Sequence, residues 1–476
     1  MDAETGVVVA SATSPKKEME IIAKQPGWAE QDPQWWWDNV KLATAEMLAS
    51  TDIDTADIKA IGITYQMHGL VCVDKDKQVL RPSIIWCDSR AVPYGDKATA
   101  ALGGDHCLEH LLNYPGNFTA TKLAWVKENE PHIFDKIDKI MLPGDYLAMK
   151  MTGDICTTES GLSEGILWDF KCKQAANFLI DHLGFSKDIL PATVPTFADQ
   201  GTLSGQAAAE LGLKAGTMIA YRAGDQPNNA FSLNVLEPGE VAATAGTSGV
   251  VYGIGDKPNY DSKSRVNTFV HVNNTDRATR NGALLCVNGT GILNSWLKHN
   301  TTGGMDYPKM NALASKAPIG ADGLSILPYG NGAERTLENK DIGASINGLN
   351  FNTHDNAHIL RAAQEGIVFA LNYGFEILEG MGIEVNTVRA GDANMFLSNV
   401  FASTFANVTG ATVELYNTDG SQGAARAAGV GSGTYSSFKE AFTGFKKTKT
   451  IEPKAAEVEQ TKQAYAKWLA VLNEKL

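Results

Sequence analysis

No Cys-x-x-Cys pair occurs in this chain; its six cysteines, Cys72, Cys87, Cys107, Cys156, Cys172 and Cys286, are scattered. That scatter argues against a disulfide framework or a zinc site and fits a reducing cytoplasm. Nor is there an apolar run near the ~20 residues of a membrane span. The opening "MDAETGVVVASAT" lacks the basic flank and cleavage site of a secretory signal. Basic residues are outnumbered, 41 Lys and Arg against 54 Asp and Glu, for a net charge of −13. Such a balance argues against nucleic acid or an anionic membrane as partner. It still admits a phosphorylated ligand, because clustered backbone N–H groups bind anions locally. Two nucleotide signatures are missing as well. No G-x-x-x-x-G-K-[ST] is present, which excludes a P-loop; no G-x-G-x-x-G follows a strand, which leaves a dehydrogenase little support.

What is present is an alternation of helical and strand-like patterns, the mark of an α/β protein. At 476 residues the chain is too long for one ordinary core, so two domains are expected. The "NVLEPGE" turn, Asn234–Glu240, is the best break, giving domains over 1–235 and 236–476. In "DPQWWWDNVKLATAEMLAS" Asp32 is placed as N-cap and Pro33 at the first helical position, with Trp36, Val40, Ala43 and Met47 on one face. Ile61, Ile63 and Tyr65 alternate as a strand does, and "DKDKQ" reads as a hairpin turn. "EVAATAGTSGVVYGIG" reads as two strands joined by a Thr-Ser loop, and "EVEQTKQAYAKWLAVLNEKL" as an amphipathic helix.

Four clusters could carry chemistry. In "AYRAGDQPNNAFSL" Asp225 stands between a glycine and a helix-like run. An Asp there ordinarily caps the helix; the alternative is a base aimed at a substrate hydroxyl. In "AGTSG", Ala245–Gly249, the glycines would let N–H groups approach a polyphosphate, although a plain turn has the same look. "YQMHGL" puts Gln66, Met67 and His68 at a strand end, where they could bind a polyol or simply pack. "RAGDANMFLSNVFASTFANVTG" joins a strand end to a helix, which suits a nucleotide and equally any βα turn.

Taken in order, these segments resemble the FGGY carbohydrate kinases, most nearly their xylulose-phosphorylating branch. The likeness runs through "QPGWAEQDPQWWWDNV", "QMHGL", "RPSIIWCDSR", "NFTATKLAWVKENEP", "MLPGDYLAMKMTGD", "AGDQPNNA", "AGTSGVVYG", "ILPYGNGAERT", Ile346–Gly366 and "GSQGAARAAGVG". Each of two family signatures has one departure: Asn117 replaces a glycine and Gln364 an apolar residue. The resemblance implies two actin-like, ribonuclease-H-like ATPase domains with a central cleft, sugar on the first and ATP with Mg²⁺ on the second. Asp225 matches the catalytic aspartate of a Gly-Asp-Asn motif, with Gln226 in place of the Asn. Gln66, Met67 and His68 match the sugar-contacting strand end, and Gly246, Thr247 and Ser248 the phosphate loop. Gly391 and Asn394 match the adenosine side, where the family carries more glycines than "RAGD". A homodimer is common among such enzymes.

The family opens with a strand bearing Asp-x-Gly-Thr/Ser, which helps hold Mg²⁺. Here "DAETG" resembles the turn after the second strand and "VVVASAT" the third. The chain is therefore expected to lack about two strands, and to be less stable and less active than a longer form. The leading expectation is ATP-dependent phosphorylation of D-xylulose. The alternatives are a kinase for ribulose, fuculose, glycerol or gluconate, and an inert sugar- or nucleotide-binding protein.

Overall fold

A computed structural model describes all 476 residues. Two compact units are formed, each drawing on more than one stretch of chain. Unit 1 is Met1–Asn234, Phe269–Ala278 and Asp419–Phe445; unit 2 is Val235–Thr268, Thr279–Thr418 and Lys446–Leu476.

Unit 1 is built on a pair of parallel strands. β1 (Ala60–Tyr65) pairs with Met218–Gly224 (called β4 below, after the hairpin strands β2 and β3), and the register ends with Tyr65 opposite Gly224. Both strands end together, so the residues that follow each of them emerge side by side. Helix α1 (Pro33–Ala49) packs nearby, and the Asp32 carboxylate accepts the Gln34 N–H at 2.9 Å, so that residue is the N-cap. Pro33, Trp36 and Trp37 are its buried residues. α2 (Gly104–Leu111) and α3 (Thr119–Asn129) follow, then α4 (Glu159–Glu164) and a short hairpin of β2 (Trp168–Asp169) and β3 (Gln174–Ala175). α5 (Asp225–Ser232) starts directly at the end of β4.

The strand expected at Val7–Thr13 does not form. Asp2–Gly6 is a turn, with its N–H and carbonyl bonds closed between Asp2, Gly6 and Val7. The following valines, Val7, Val8 and Val9, are exposed and pair with no strand. A strand needs a ladder partner for its N–H and C=O groups, and β1 pairs with β4 alone.

Unit 2 carries the large sheet. Its strands are β5 (Glu240–Ala245), β6 (Gly249–Gly255), β7 (Asn267–Val270), β8 (Asn281–Val287), β9 (Thr387–Gly391), β10 (Thr412–Tyr416) and β11 (Lys447–Ile451). They lie in the order β7-β8-β6-β5-β9-β10-β11. β5 and β6 form the expected hairpin, with Ala245 opposite Gly249. β5, β9 and β10 run parallel, with Ala243 opposite Ala390 and Gly391 opposite Tyr416. Helix α6 (Gly291–Asn300) follows β8; α7 (Asn356–Gly380), α8 (Asn399–Thr409) and α10 (Ala455–Asn473) supply much of the core around Phe375, Phe405 and Trp468. α9 (Gly420–Gly431) belongs to unit 1.

Gln364 shows how a polar residue sits at a core position of α7. It is buried, and both ends of its amide are paired: it donates to Asn311 at 3.0 Å and accepts from Ser398 at 2.6 Å. Satisfied in this way, a buried amide costs little. No helix is long and apolar enough to cross a membrane.

Candidate functional site

In unit 1 the β1/β4 register brings Gln66, Met67, His68, Asp225 and Gln226 to one strand edge. Crevices outside the carboxyl ends of parallel strands are where α/β folds bind ligands. Asp225 is the first residue of α5. The N-cap is Gly224, with no side-chain capping bond, and Asp225 stands one residue inside the helix, where its carboxylate also takes the Gln226 N–H of the first turn. The Gln226 amide donates to Asp225 Oδ2 at 3.0 Å, and the Met67 and Gln226 backbone N–H groups favour its anion. Water reaches the residue, which is exposed overall, yet protein surrounds its carboxyl closely enough for desolvation to push it up to about 6. A base poised there is half-protonated near pH 6 and free to accept a proton at neutral pH.

The strand-end residues are held from behind. Gln66 donates to Gln31 at 3.0 Å, and the same Gln31 oxygen accepts the Trp36 indole N–H at 3.0 Å. Met67 is buried. His68 has φ +63, and its Nδ1 lies 2.8 Å from the Glu164 carbonyl oxygen. Its ring meets Phe118 edge-on at 4.9 Å. Lys122 of α3 is buried and gives its ammonium to the carbonyl oxygens of His68 (2.8 Å) and Ile85 (3.0 Å). Asn117, one turn earlier, donates to the Asp88 carbonyl.

Sequence reasoning passed over two groups here. The Glu164 carboxyl of α4 lies in the space beside Gly224: a Cβ on that glycine would be 2.4 Å from Oε2. It is fully buried, neither oxygen meets an ideal hydrogen-bond partner, and desolvation with the charges of Asp225 and Asp145 holds it well above the carboxylate range. Tyr65 beside it is buried as well. Only the apolar setting of "SGLSEGILW" hinted that this glutamate faces inward.

In unit 2 the Gly246-Thr247-Ser248 loop joins β5 to β6 at the carboxyl end of β5. Thr247 is exposed. The loop's carbonyls are already used: Gly246 O accepts the Gly291 N–H at 2.9 Å and Thr247 O the Ile292 N–H at 3.1 Å. The positive end of α6 is therefore docked on the loop. Asn394, with φ +54, brings its amide nitrogen to 3.8 Å from where a Gly246 Cβ would stand. Gly391 closes β9, the parallel neighbour of β5, and nothing lies within 4 Å of a Cβ placed on it. A third unforeseen group is Glu334, buried at the approach to α6, which accepts the Asn288 N–H at 2.9 Å; burial raises it to about 7.

No group of three or more carboxylates in the chain is disposed to close on one ion; the single mixed cluster that could is His110, Asp169 and Cys172.

Comparisons with known proteins give the family and the fold. Residues 1–232 match the FGGY family of carbohydrate kinases, N-terminal domain, and residues 241–432 the C-terminal domain of that family. A xylulose kinase of Bacillus subtilis (strain 168) is 31% identical over 94% of this chain and 89% of its own. A crystal structure described as a xyloylose kinase from Brucella ovis is 25% identical, with a TM-score of 0.87 over 96% of this chain and 93% of that one. The glycerol kinase of Plasmodium falciparum with ADP has the same fold at 22% identity, with a TM-score of 0.87 over 97% and 92%.

Proposed function

Because the chain belongs to the FGGY family of carbohydrate kinases and has their two-domain, actin-like fold, we propose that it transfers the γ-phosphoryl group of ATP to the terminal hydroxyl of D-xylulose, giving D-xylulose 5-phosphate. The observation that carries the reading is the register of β1 on β4, which sets Asp225 beside Gln66, Met67 and His68. The relatives named xylulose kinase, from Bacillus subtilis among others, support the choice of sugar. Sugar binding falls to unit 1, which is residues 1–234 joined by Phe269–Ala278 and Asp419–Phe445, and ATP binding to unit 2, the remainder of 235–476.

A sugar hydroxyl is a poor nucleophile near neutral pH. Asp225 accepts its proton as the bond to phosphorus forms, a contribution of about 10²–10⁴ in rate. Gln66, His68 and Gln226 supply hydrogen-bonding groups around the sugar, and Met67 an apolar wall. Their positions are set by Gln31, Trp36 and Lys122, so little is left to order when substrate binds. The transferred group passes through a loose transition state, in which positioning and charge neutralisation do most of the work. N–H groups of the Gly246–Ser248 loop, the Thr247 and Ser248 hydroxyls and the docked end of α6 provide that neutralisation. Gly391, with no side chain, and Asn394 leave room for and contact the adenosine.

The test is ADP release across xylulose, ribulose, fuculose, glycerol and gluconate. The highest kcat/KM is expected with xylulose, and Asp225→Asn should lower kcat about 10²–10⁴-fold while leaving sugar affinity largely intact. Undiminished turnover by Asp225→Asn would remove the base. A better substrate in the panel would reassign the sugar. Calorimetric binding of xylulose with no ADP release would mark an inert binder.

A further inference from the structure

One cluster of ligating side chains lies outside the proposed site. His110, Asp169 and Cys172 each offer one ligand atom, and those atoms all lie within 4.8 Å of one another. His110 ends α2; Asp169 and Cys172 belong to the β2–β3 hairpin. In sequence the histidine and the aspartate are 59 residues apart, which is why the scattered cysteines concealed the grouping.

We propose that His110, Asp169 and Cys172 form a binding site for a zinc-like divalent cation in unit 1, with solvent at the fourth position. The donor set is the first argument. Imidazole nitrogen, carboxylate oxygen and thiolate sulfur are the three ligand types zinc takes, and a borderline-soft ion suits such a mixture better than Mg²⁺ or Ca²⁺, which prefer oxygen alone. Geometry is the second. Bonds of about 2.0–2.3 Å in a tetrahedron put ligand atoms about 3.3–3.8 Å apart. His110 Nδ1 and Asp169 Oδ2 are hydrogen-bonded at 2.9 Å, so an ion replaces that bond and parts the two atoms by about 0.4 Å. Closing the largest gap therefore asks about 1 Å of movement, which a torsion of the exposed Cys172 side chain supplies.

Preorganisation is the third. The Phe170 N–H donates to the His110 carbonyl at 2.8 Å, tying the hairpin to the helix end through backbone. Asp169 Oδ1 accepts the N–H groups of Lys171 (3.0 Å) and Cys172 (2.9 Å), so the turn is shaped around the carboxylate. Oδ2 faces the His110 ring at 2.9 Å, and the Cys172 side chain also bonds to this carboxylate. The His110 ring is flanked by His106 at 4.4 Å and Phe178 at 5.5 Å, which limit its rotation. Lys171, between Asp169 and Cys172 in the turn, is engaged by Glu109. Cys172 faces solvent and Asp169 does not, so an ion has an approach on one side and an anchoring carboxylate on the other. On binding, the thiol proton leaves to solvent and the sulfur–metal bond takes its place.

The experiment uses the full chain, freed of any affinity tag and stripped with chelator, titrated with Zn²⁺ against a chromophoric chelator and separately with Co²⁺. The expected result is one equivalent per chain and, for Co²⁺, a thiolate-to-metal charge-transfer band with visible bands of tetrahedral intensity. Cys172→Ser should abolish the charge-transfer band, and His110→Ala should weaken Zn²⁺ binding at least about tenfold. Sugar-kinase turnover of Cys172→Ser should stay at the wild-type level, so this test is read independently of the proposed activity. Absence of stoichiometric Zn²⁺ binding, or a charge-transfer band that survives Cys172→Ser, overturns the proposal.

Discussion

Lys122 Nζ stands 2.8 Å from the carbonyl oxygen of His68, the one residue at the β1 end whose backbone takes a positive φ. The ammonium is buried with a second carbonyl, that of Ile85, at 3.0 Å. A left-handed turn carrying a proposed sugar contact is thus held by a single buried cation. Desolvation lowers Lys122 from 10.5 to about 7. The sign follows by linkage: between those values the unfolded chain binds a proton that the folded chain has released, so stability should rise with pH from about 7 upward. Below about 7 both states are protonated and the cost of burying the charge is fully present. Lys122→Met should remove this slope, leave two carbonyls short of a donor at a cost of about 1–3 kcal/mol, and raise KM for the sugar. Thermal melts in a pH series, with sugar kinetics, check all three; an unchanged slope would show that Lys122 does not titrate there.

Gly224 is where the two strand ends come closest. A methyl group at this position would lie 2.4 Å from Glu164 Oε2 and 2.5 Å from Met67 Cγ. Gly224→Ala must therefore displace both groups next to Asp225, and overpacking of this kind costs about 1–3 kcal/mol. The loss should show as a lower melting temperature together with a lower kcat, because a shift near 1 Å at the reacting groups is enough to slow chemistry strongly. A variant that melted earlier but turned over normally would place the clash away from the catalytic geometry.

How far the sequence foretold this arrangement depends on range. Asp32 as N-cap of α1, the Gly-Thr-Ser loop between β5 and β6, and the apolar stripe of Tyr465 and Leu472 are set by neighbours within one or two turns, and periodicity alone shows them. Motif order, through the family resemblance, grouped Asp225 with Gln66, Met67 and His68, and the β1/β4 register brings them to one strand end. What periodicity cannot carry is the long-range pairing. Glu164 next to Gly224, Lys122 under His68 and Glu334 at the foot of α6 join residues tens to many tens of positions apart, and each is a buried ionisable group, a class that composition leads one to put outside. The strand foreseen at Val7–Thr13 failed for a related reason: an apolar, β-branched run is suited to a ladder but does not supply its own partner.

Glu164 and Asp225 form an unequal pair of carboxyls. Burial and the neighbouring charge hold Glu164 well above the ordinary range, whereas Asp225 titrates at about 6. Burial thus favours the uncharged form of Glu164 over that of Asp225. With Glu164 in that form, Glu164→Gln replaces one neutral group with another of similar shape, so the acid limb of kcat/KM should stay near pH 6. Were Glu164 ionised, removing its charge would lower the Asp225 value and move that limb to lower pH. The stability of Asp225 has the opposite sign from a salt-bridged acid: its raised value means the folded state binds the extra proton between 3.8 and about 6, and the ionised form is penalised above that range. Asp225→Asn should accordingly melt higher than the wild type at pH 7 and converge with it on acidification, as melts at paired pH values would show.

In unit 2 the loop and α6 meet backbone to backbone, which leaves no room for a side chain. A Cβ on Gly291 would stand 2.2 Å from the Gly246 carbonyl oxygen. That same oxygen accepts the Gly291 N–H at 2.9 Å. Gly291→Ala must push the helix end off the loop, because neither contact atom is a side chain able to turn aside. Loss of the two N–H bonds that anchor the loop costs about 1–3 kcal/mol, and the displaced N–H groups no longer converge on phosphate. KM for ATP should rise several-fold while sugar binding, measured by calorimetry without nucleotide, stays unchanged, since every proposed sugar contact lies in unit 1. If the variant lost sugar affinity and kept its KM for ATP, the assignment of the Gly246–Ser248 loop to the phosphates would fall.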